Sequence, residues 1–531
     1  MQTYQKNVKE NGSHGFHNQQ SGEKGVGGWS PSEYVDHYLC SPDGSQDIDT
    51  IAENAEQLSS LDQSPVPGAC SLSSSLSSGA SQQNSQTFQS YQYDSPDNTS
   101  SSAASESYVS HKLRELATEM LGPDHDNLDS DDNVVLSGSD QMTLEARKWS
   151  VLAEMVARGD LKEVLCACAR SIESNDSYTF ELLVSEARKM VSVSGDPLQR
   201  LGAYMLEGLV ARLASSGSAI YKSLKCQEPT GNELFSYMYL LYDVCPYFKF
   251  GNLSANGAIA QAMKDESRVH VIDFQISQGG QWITLIQALA GRPGGPPHIR
   301  ITGIDDSRSA FVRGGGLHIV GERLRQLAEQ HNVPFEFTAA DVSASEVEFH
   351  NLGIRPGEAI AVNFPLMLHH LIDESVGTEN CRDKIIRLVK SLSPKVVTLV
   401  EQESNTNTAP FVPRFVQTMN HYLAIFESID VILARDHKER INIEQHCLAR
   451  EVVNIIACEG AERVERHELF GKWRSRFTMA GFSQYPLNSF VNATIKSLLE
   501  NYSNNYTLEE RDGTLYLGWR NLPLITSSAW K

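Results

Sequence analysis

Hydrophobic and polar positions follow three different patterns along the 531-residue chain. Residues 1–140 are rich in Ser, Gln, Asn, Gly and Asp, and their few apolar side chains are scattered. A segment of this kind cannot bury enough apolar surface to offset the entropy that it would lose on folding. We therefore predict an acidic, disordered arm over residues 1–140.

One short stretch of this arm departs from the pattern. Leu113, Leu116 and Met120 lie at helical spacing in "SHKLRELATEMLGPD", which ends at Gly122 and Pro123. The spacing predicts a transient helix that can dock on a partner, and an inert, solvated tail is the alternative interpretation. Four serines of the arm precede proline and are candidates for proline-directed phosphorylation: Ser30, Ser41, Ser64 and Ser95.

Between residues 142 and 241 the apolar positions have helical spacing. In "DPLQRLGAYMLEGLVARLA", Asp196 can cap a helix and Pro197 fits its first position. No heptad repeat is sustained over several turns, so we expect core packing rather than a free dimerisation zipper. The pattern predicts a helical subdomain. The apolar face of the quoted helix consists of Leu198, Leu201, Met205, Leu209 and Leu213.

From residue 269 onward, short runs rich in β-branched residues alternate with amphipathic stretches. The runs are "VHVIDF", "IRITGIDD", "FEFTAADV", "EAIAVNF" and "VVTLVEQE", and further strands and helices follow after about residue 420. This alternation predicts a mainly parallel, doubly wound sheet with helices on both faces. The expected fold class is therefore α/β, with a Rossmann core, a helical cap and the disordered arm before them.

The net charge of −21 is spread unevenly. Residues 1–140 contain 21 acidic and 5 basic residues, a net charge of −16, which leaves −5 for the rest of the chain. An acidic chain repels phosphate, so strong binding to bulk DNA or to an anionic membrane is not expected without a local basic patch. Two short basic clusters, residues 472–476 ("KWRSR") and 435–440 ("RDHKER"), are candidates for phosphate or import-receptor contact, or are solvated helix faces.

The nine cysteines show neither CxxC pairs nor paired Cys/His spacing of the zinc-ligand type. We interpret them as reduced, mostly buried thiols of an intracellular protein. No apolar segment follows a basic start, and no run of 18 apolar residues occurs, so nothing in the sequence favours secretion or membrane insertion.

Ligands of open α/β sheets bind beyond the carboxyl ends of the strands. The acids Asp273, Asp305 and Asp341 each follow a predicted strand. Their order resembles the class I S-adenosylmethionine methyltransferase plan, in which an acid ends the first strand, a second acid holds a ribose and a third flanks the adenine. The resemblance makes these three acids candidates for a cofactor pocket.

The turn after the first strand does not complete this pocket. Methyltransferases of that class have three alternating glycines after the first acid, because the backbone approaches the cofactor closely. Here the corresponding residues are Gln275, Ser277 and Gly279. Gly279 and Gly280 are instead expected to form the turn into the next helix. We predict that the shape is retained and the pocket lost, with Asp273, Gln275, Gly279, Gly280, Asp305 and Asp341 as its remnants and no cofactor.

Other candidate chemistry is weak. His369 and His370 follow the run "AVNFPLML", so they can lie near Glu401 and Glu403 at the same sheet edge, where Asn363 also ends a strand. Such a group fits acid/base catalysis or, alternatively, structural hydrogen bonds at strand ends. A nucleophile elbow and a phosphate-binding loop are both missing from the sequence. We therefore predict no catalytic residues, no metal ligands and no enzyme.

The sequence from 142 to 531 resembles the GRAS family of plant transcriptional regulators. "VHVID" matches that family's VHIID motif with Val271 for the usual Ile. The motif residues are Val269, His270, Val271, Ile272 and Asp273. The resemblance divides the domain into a first leucine-rich region (about 160–220), a VHIID region (238–303), a second leucine-rich region (320–351), a PFYRE region (360–454) and a SAW region (457–531).

The last two regions carry the remaining motifs. The residues that resemble the PFYRE motif are Pro394, Phe411 or Phe415, Tyr422, Arg450 and Glu451. Those of the SAW region are Arg463 with Glu468, Trp473 with Gly481, Trp519 with Trp530, and the terminal Ser528, Ala529 and Trp530. "HKLRELATEMLGPD", "CPYFKFGNLSANGAIAQAM" and "SLSPKVVTLVEQESNTNT" are similar to the phytochrome A signal transduction branch, which includes chitin-inducible, gibberellin-responsive members.

The resemblance implies a helical cap over a methyltransferase-like core, nuclear and sometimes cytoplasmic residence, and co-regulation through DNA-binding partners and other GRAS proteins. It implies only weak or indirect contact with DNA and no association with a membrane. The expected function is transcriptional co-regulation in light, hormone or elicitor signalling. The alternative is a methyltransferase or a small-molecule receptor that uses the inherited pocket.

Overall fold

A computed structural model describes residues 138–213, 229–305 and 316–531 of the chain. Apart from its last three residues, the predicted arm lies outside this part, together with its short helix and its Ser-Pro dipeptides. Within the described part, no helix is both long and apolar enough to cross a membrane.

The helical subdomain is confirmed, and six helices of this cap lie within residues 138–213 and 229–262. They are α1 (Gly138–Arg158), α2 (Leu161–Glu173), α3 (Ser177–Met190), α4 (Pro197–Leu213), α5 (Gly231–Val244) and α6 (Pro246–Ala262). Asp196 caps α4 as predicted, because its carboxylate accepts a hydrogen bond from the Gln199 amide at 2.9 Å. Leu201, Met205 and Leu209 are fully buried, but Leu213, placed on the same face, is exposed because it ends the helix.

The five predicted strand runs form five parallel strands in the order β3-β2-β1-β4-β5. They are β1 (Arg268–Asp273), β2 (His298–Ile304), β3 (Phe335–Ala340), β4 (Ala359–Pro365) and β5 (Val396–Gln402). This is the strand order of the Rossmann fold, in which the direction of strand addition reverses between the first and fourth strands. The carboxyl ends of β1 and β4 therefore mark the place where a ligand would bind.

An antiparallel extension completes the sheet on the β5 side. Its strands are β6 (Gln484–Tyr485), β7 (Tyr506–Arg511), β8 (Thr514–Trp519) and β9 (Leu522–Trp530). β9 pairs with β5, β6 and β8, and β8 pairs with β7. The last strand of the chain is thus an inner strand of the sheet.

Helices cover both faces of the sheet, as expected for a doubly wound fold. They are α7 (Gly280–Ala290), α8 (Leu317–Gln330), α9 (Cys381–Ser391), α10 (Phe411–Asp430), α11 (Lys438–Ile443), α12 (Ala449–Ala457), α13 (Phe470–Met479) and α14 (Ser489–Leu499). Val269 and Val271 of β1 belong to one apolar core, which extends into the cap, whereas Ile272 belongs to a second core that includes α9 and α13. The predicted fold class is confirmed.

Candidate functional site

The structure places the three predicted pocket acids at the carboxyl ends of neighbouring strands. Asp273 ends β1, Asp305 follows β2 and Asp341 follows β3. Asp273 is buried, Asp305 is half-buried and Asp341 is exposed. Asn363 of β4 lies directly beside Asp273 in the sheet. The order of the acids is therefore as predicted, but their surroundings differ.

The side chain of Asp273 is engaged by hydrogen-bond donors of the protein itself. Its Oδ2 accepts a hydrogen bond from the indole Nε1 of Trp282 at 2.7 Å. Its Oδ1 accepts from the Gln275 amide at 3.2 Å and from Nδ2 of Asn363 at 3.3 Å. Burial nevertheless raises the pKa of Asp273 to about 7, because desolvation penalises the charged form more than these donors favour it.

The backbone of the turn confirms that Gly279 and Gly280 lead into the next helix. Gly279 precedes α7 with a φ of +76°, a conformation that suits glycine. A Cβ at Gly279 would lie 2.8 Å from Cγ1 of Val320 on α8, so α8 packs closely on the turn. Gly280 is less restricted, since a Cβ there would contact nothing within 4 Å. Ser277 has a φ of +50°, which is strained for a serine.

Apolar side chains of the same turn cover the end of the sheet. Phe274 is buried and stacks on Phe364 of β4, with 4.6 Å between the ring centroids. Ile276 is also buried and contacts β2 so closely that a Cβ at Gly303 would lie 2.8 Å from its Cδ1. Side chains of the protein therefore take up the space beside Asp273, which favours the interpretation of a retained shape without a pocket.

His270 of the VHVID motif has a structural environment. The Arg300 guanidinium, which can only donate, gives a 2.9 Å hydrogen bond to its Nδ1. The proton of the neutral ring is therefore on Nε2, which lies 2.8 Å from Oγ1 of Thr302. Burial, and next the Arg300 charge, lower the pKa of His270 to about 3. This histidine remains neutral and ties β1 to β2.

The second group of candidates is brought together in part. Nδ1 of His369 lies 2.7 Å from Oε2 of Glu401, and the Leu368 amide donates to Oε1 of the same carboxylate at 2.8 Å. The predicted proximity of His369 to Glu401 is thus confirmed. Glu403 does not join them, because its carboxylate accepts a hydrogen bond from the Phe470 amide at 2.8 Å.

The cluster at residues 472–476 is a solvated helix face only in part. Arg476 is 8% exposed, and its guanidinium lies 2.9 Å from Glu468 Oε2, 3.1 Å from Asp373 Oδ2 and 2.9 Å from Asp383 Oδ1. These carboxylates raise the pKa of Arg476. Arg474 is more exposed and pairs with Asp512. Arg476 therefore holds buried acids in the fold rather than presenting a charge to phosphate.

The cluster at residues 435–440 is likewise only partly exposed to solvent. Arg440 is fully buried and pairs with Glu444, which lies 3.0 Å from the guanidinium of Arg200 on α4. Arg435 remains at the surface and pairs with Asp430. A buried ionic group thus connects α4 with residues 440–444, and the contact of Arg200 with Glu444 is not indicated by any local sequence pattern.

The SAW motif residues do not all pair with each other. Arg463 donates to the Asn407 carbonyl at 3.1 Å and lies 3.4 Å from Glu459, whereas Glu468 pairs with Arg382 and Arg476. The remaining motif residues lie in tight or buried positions. Gly481 has a φ of +88°, Trp473 and Ala529 are fully buried, and Ser528, Trp519 and Trp530 are 1% exposed.

The PFYRE residues on α10 and α12 are brought into contact. The hydroxyl of Tyr422 donates to Glu451 Oε2 at 2.6 Å, and burial raises the pKa of Glu451 to about 7. Phe411 and Phe415 are both buried on α10, Pro394 is buried, and Arg450 is half-buried beside Glu451. These motif residues connect the helices of one face of the sheet.

The fold is a Rossmann-like domain in which Trp282, Phe274 and Ile276 lie beside the acid that ends the first strand. Residues 161–531 match the model of the GRAS domain family. The chain therefore belongs to the GRAS family of plant transcriptional regulators, as its motifs predicted.

Curated relatives and one solved structure agree with this assignment. The chain is 65% identical to Scarecrow-like protein 5 of Arabidopsis thaliana over 433 residues, which cover 82% of this chain and 72% of that protein. It is 62% identical to chitin-inducible gibberellin-responsive protein 2 of Oryza sativa subsp. japonica over 422 residues, which cover 80% of this chain and 77% of that protein. The crystal structure of SCL7 in Oryza sativa aligns with a TM-score of 0.63 at 34% identity and covers 70% of this chain and 99% of its own.

Proposed function

We propose that the protein is a nuclear transcriptional co-regulator, also present in the cytoplasm, that acts in light, hormone or elicitor signalling. In this proposal the folded region binds DNA-binding transcription factors and other GRAS proteins, and the acidic arm is thereby brought to promoters. The names of the relatives support a regulator rather than an enzyme. The Trp282 hydrogen bond to Asp273 argues against the alternative of a methyltransferase or a small-molecule receptor at the switch point.

The observation that carries the protein-binding mode is an apolar stripe on α5. Phe235, Met238, Tyr239 and Tyr242 lie at positions i, i+3, i+4 and i+7 of this helix. Met238 and Tyr239 are 39% and 38% exposed, and the other two are half-buried. The helix is therefore apolar on its outer face also. An exposed stripe with this spacing is typical of helix-mediated protein recognition.

A neighbouring face of α5, beside Met238, anchors the helix to the cap. Leu234, Leu241 and Val244 are buried. At its start, the Thr230 hydroxyl accepts from the Glu233 amide at 3.3 Å, and the Glu233 carboxylate accepts from the Thr230 amide at 2.8 Å. This reciprocal cap fixes the first turn. The stripe is thus presented on a supported helix, on which a surface substitution can be tested without loss of the fold.

The test is capture of partners from plant nuclear extract with tagged full-length protein, followed by mass spectrometry. We expect wild-type protein to retain DNA-binding transcription factors and Met238→Glu to retain them at least about tenfold less well, since a charge in an apolar contact costs more than about 1.4 kcal/mol. Met479→Glu on α13 is the matched control, because Met479 is still more exposed.

Two outcomes count against the proposal. Equal capture by wild type and Met238→Glu would exclude the α5 stripe as the contact surface. Retention of no transcription factor by the wild type would contradict the co-regulator function itself. Equal melting temperatures of the two variants show that the fold is intact.

The charge distribution supports indirect rather than direct DNA contact. Arg476 and Arg440 are buried with acids, and Arg474 and Arg435 pair with acids at the surface. Few of the basic side chains in these two clusters are left for phosphate. We expect purified full-length protein to bind duplex DNA no tighter than about 10⁻⁶ M at physiological salt, the range of non-specific association.

A further inference from the structure

A cluster of imidazole and carboxylate groups lies at the carboxyl edge of the sheet, outside the switch point. His369 and His370 form a short 3₁₀ turn (Leu368–His370) after β4. Glu465 and His467 come from the loop before α13 and face them. The cluster therefore joins two segments that are about a hundred residues apart in the sequence.

The hydrogen bonds of His369 leave one ring nitrogen for another partner. Its Nδ1 is bound to Glu401, whose second oxygen is held by the Leu368 amide. Its Nε2 faces Oε2 of Glu465 at 3.4 Å. A carboxylate that binds one ring nitrogen while the other points into a polar cluster is the arrangement that orients metal-ligating histidines.

His467 is held by Thr406 and faces Glu465. Its Nδ1 lies 3.0 Å from the Thr406 hydroxyl, which also accepts a hydrogen bond from the His467 amide at 2.9 Å. Nε2 of this fully buried ring and Oε2 of Glu465 lie 3.6 Å apart, and neither makes a hydrogen bond within the protein.

A cation between these two buried polar atoms would satisfy both of them. We propose that His369, His370, His467 and Glu465 form a binding site for a divalent transition metal of the zinc class. The ligand atoms of His369, His370 and Glu465 all lie within 4.8 Å of one another. Nε2 of His369 and Nε2 of His467 lie 3.4 and 3.6 Å from Oε2 of Glu465, near the edge of about 3.3 Å in a tetrahedron with metal–ligand bonds of about 2.05 Å. Nε2 of His370 lies 3.4 Å from the other oxygen of the same carboxylate.

Charge and access are consistent with such a site. The Glu401 and Glu465 carboxylates are both buried and raise the pKa of His369 against the effect of its burial, so a dication would compete with a proton for this ring. The His370 side chain is 39% exposed, so the site has an opening to solvent on one side. Four protein ligands are typical of structural zinc sites. The metal would clamp the loop before α13 to the ends of β4 and β5.

The experiment uses tag-free, full-length protein that has been treated with a chelator and then titrated with Zn²⁺ against a competing indicator. His370→Ala is the test variant, because the exposed ring can be removed with little effect on the core. His350→Ala is the matched control, since His350 is an exposed histidine of another 3₁₀ turn. We expect one Zn²⁺ per chain in the wild type and the control, and affinity weakened at least about tenfold in His370→Ala.

A second readout reports on coordination rather than affinity. Co²⁺ in place of Zn²⁺ should give the intense visible absorption of a tetrahedral ion in the wild type and a changed spectrum in His467→Gln. Zn²⁺ should also raise the melting temperature of the wild type and have a smaller effect on His370→Ala. Equal Zn²⁺ affinities of His370→Ala and His350→Ala, or no binding at micromolar Zn²⁺, would overturn the proposal.

Discussion

The indole nitrogen of Trp282 donates a 2.7 Å hydrogen bond to Asp273, the acid that ends the first strand. In a cofactor-binding Rossmann domain the residues that follow the first strand approach the bound ligand. Here the donor is a side chain of α7, the helix that follows the turn. The hydrogen bond therefore connects α7 to β1, the strand before the turn. This contact within the protein makes the switch point part of the core, where both side chains are buried.

The first prediction concerns the pH dependence of stability. The pKa of Asp273 is about 7 in the folded chain, above the value of about 3.9 for an exposed aspartate. Folding therefore favours the protonated form, and this contribution to stability is complete below about pH 4 and is lost as the pH rises through 7. We expect the difference in unfolding free energy between wild type and Asp273→Asn to change by about 2 kcal/mol between pH 5 and pH 8.

Urea unfolding at several pH values measures this difference. Other buried acids titrate equally in both proteins and cancel. Asp341→Asn is the matched control, because Asp341 is exposed at the end of β3. Parallel profiles for wild type and Asp273→Asn would show that the aspartate does not titrate in this range.

The second prediction concerns S-adenosylmethionine. Trp282, Phe274 and Ile276 occupy the region beside Asp273. Titration calorimetry of the full-length chain should therefore show no saturable heat up to roughly 1 mM ligand, which corresponds to binding weaker than about −4 kcal/mol. Micromolar binding that is lost in Asp305→Ala would refute the closed pocket and favour the methyltransferase alternative.

Most of the sheet and the turn could be predicted because their signals are local. The β-branched runs, the acids that follow them and the Gly279 turn all lie within a few residues of the structure that they specify. The pairing of β9 with β5 was not predicted, since antiparallel neighbours can be far apart in the sequence. A strand pattern indicates that a strand exists, not which strands lie beside it.

The buried ionic groups could not be predicted for the same reason. The acids around Arg476 come from residues 373, 383 and 468, and each belongs to a different segment. A basic cluster with no acid in its own helix has the local pattern of a solvated face. Likewise, the contact of Trp282 with Asp273 was missed because the tryptophan fits an apolar helical face, and only its indole nitrogen shows the polar role.

The third prediction separates the buried and the exposed arginine of α13. Arg476→Ala removes the partner of Glu468 and Asp373, which remain buried, and should lower the free energy of unfolding by about 3 to 5 kcal/mol. Arg474→Ala breaks an exposed pair with Asp512 and should cost about 0 to 1 kcal/mol. Chemical denaturation of both variants measures the difference. Similar losses would mean that Arg476 is solvated in solution.

The last prediction concerns the end of the chain. Trp530 ends the inner strand β9 and is 1% exposed, with its ring 4.9 Å from that of Phe477 on α13. Trp530→Ala should lower the free energy of unfolding by about 3 to 5 kcal/mol, because it leaves a large cavity between the sheet and that helix. Leu522→Ala, at the exposed start of the same strand, is the control and should cost much less.

Truncation after Gly518 removes β9 altogether and should yield insoluble or unfolded protein, since β5 and β8 then lose their common neighbour. A truncated chain with an unchanged melting temperature would show that the terminal strand is not required for the fold.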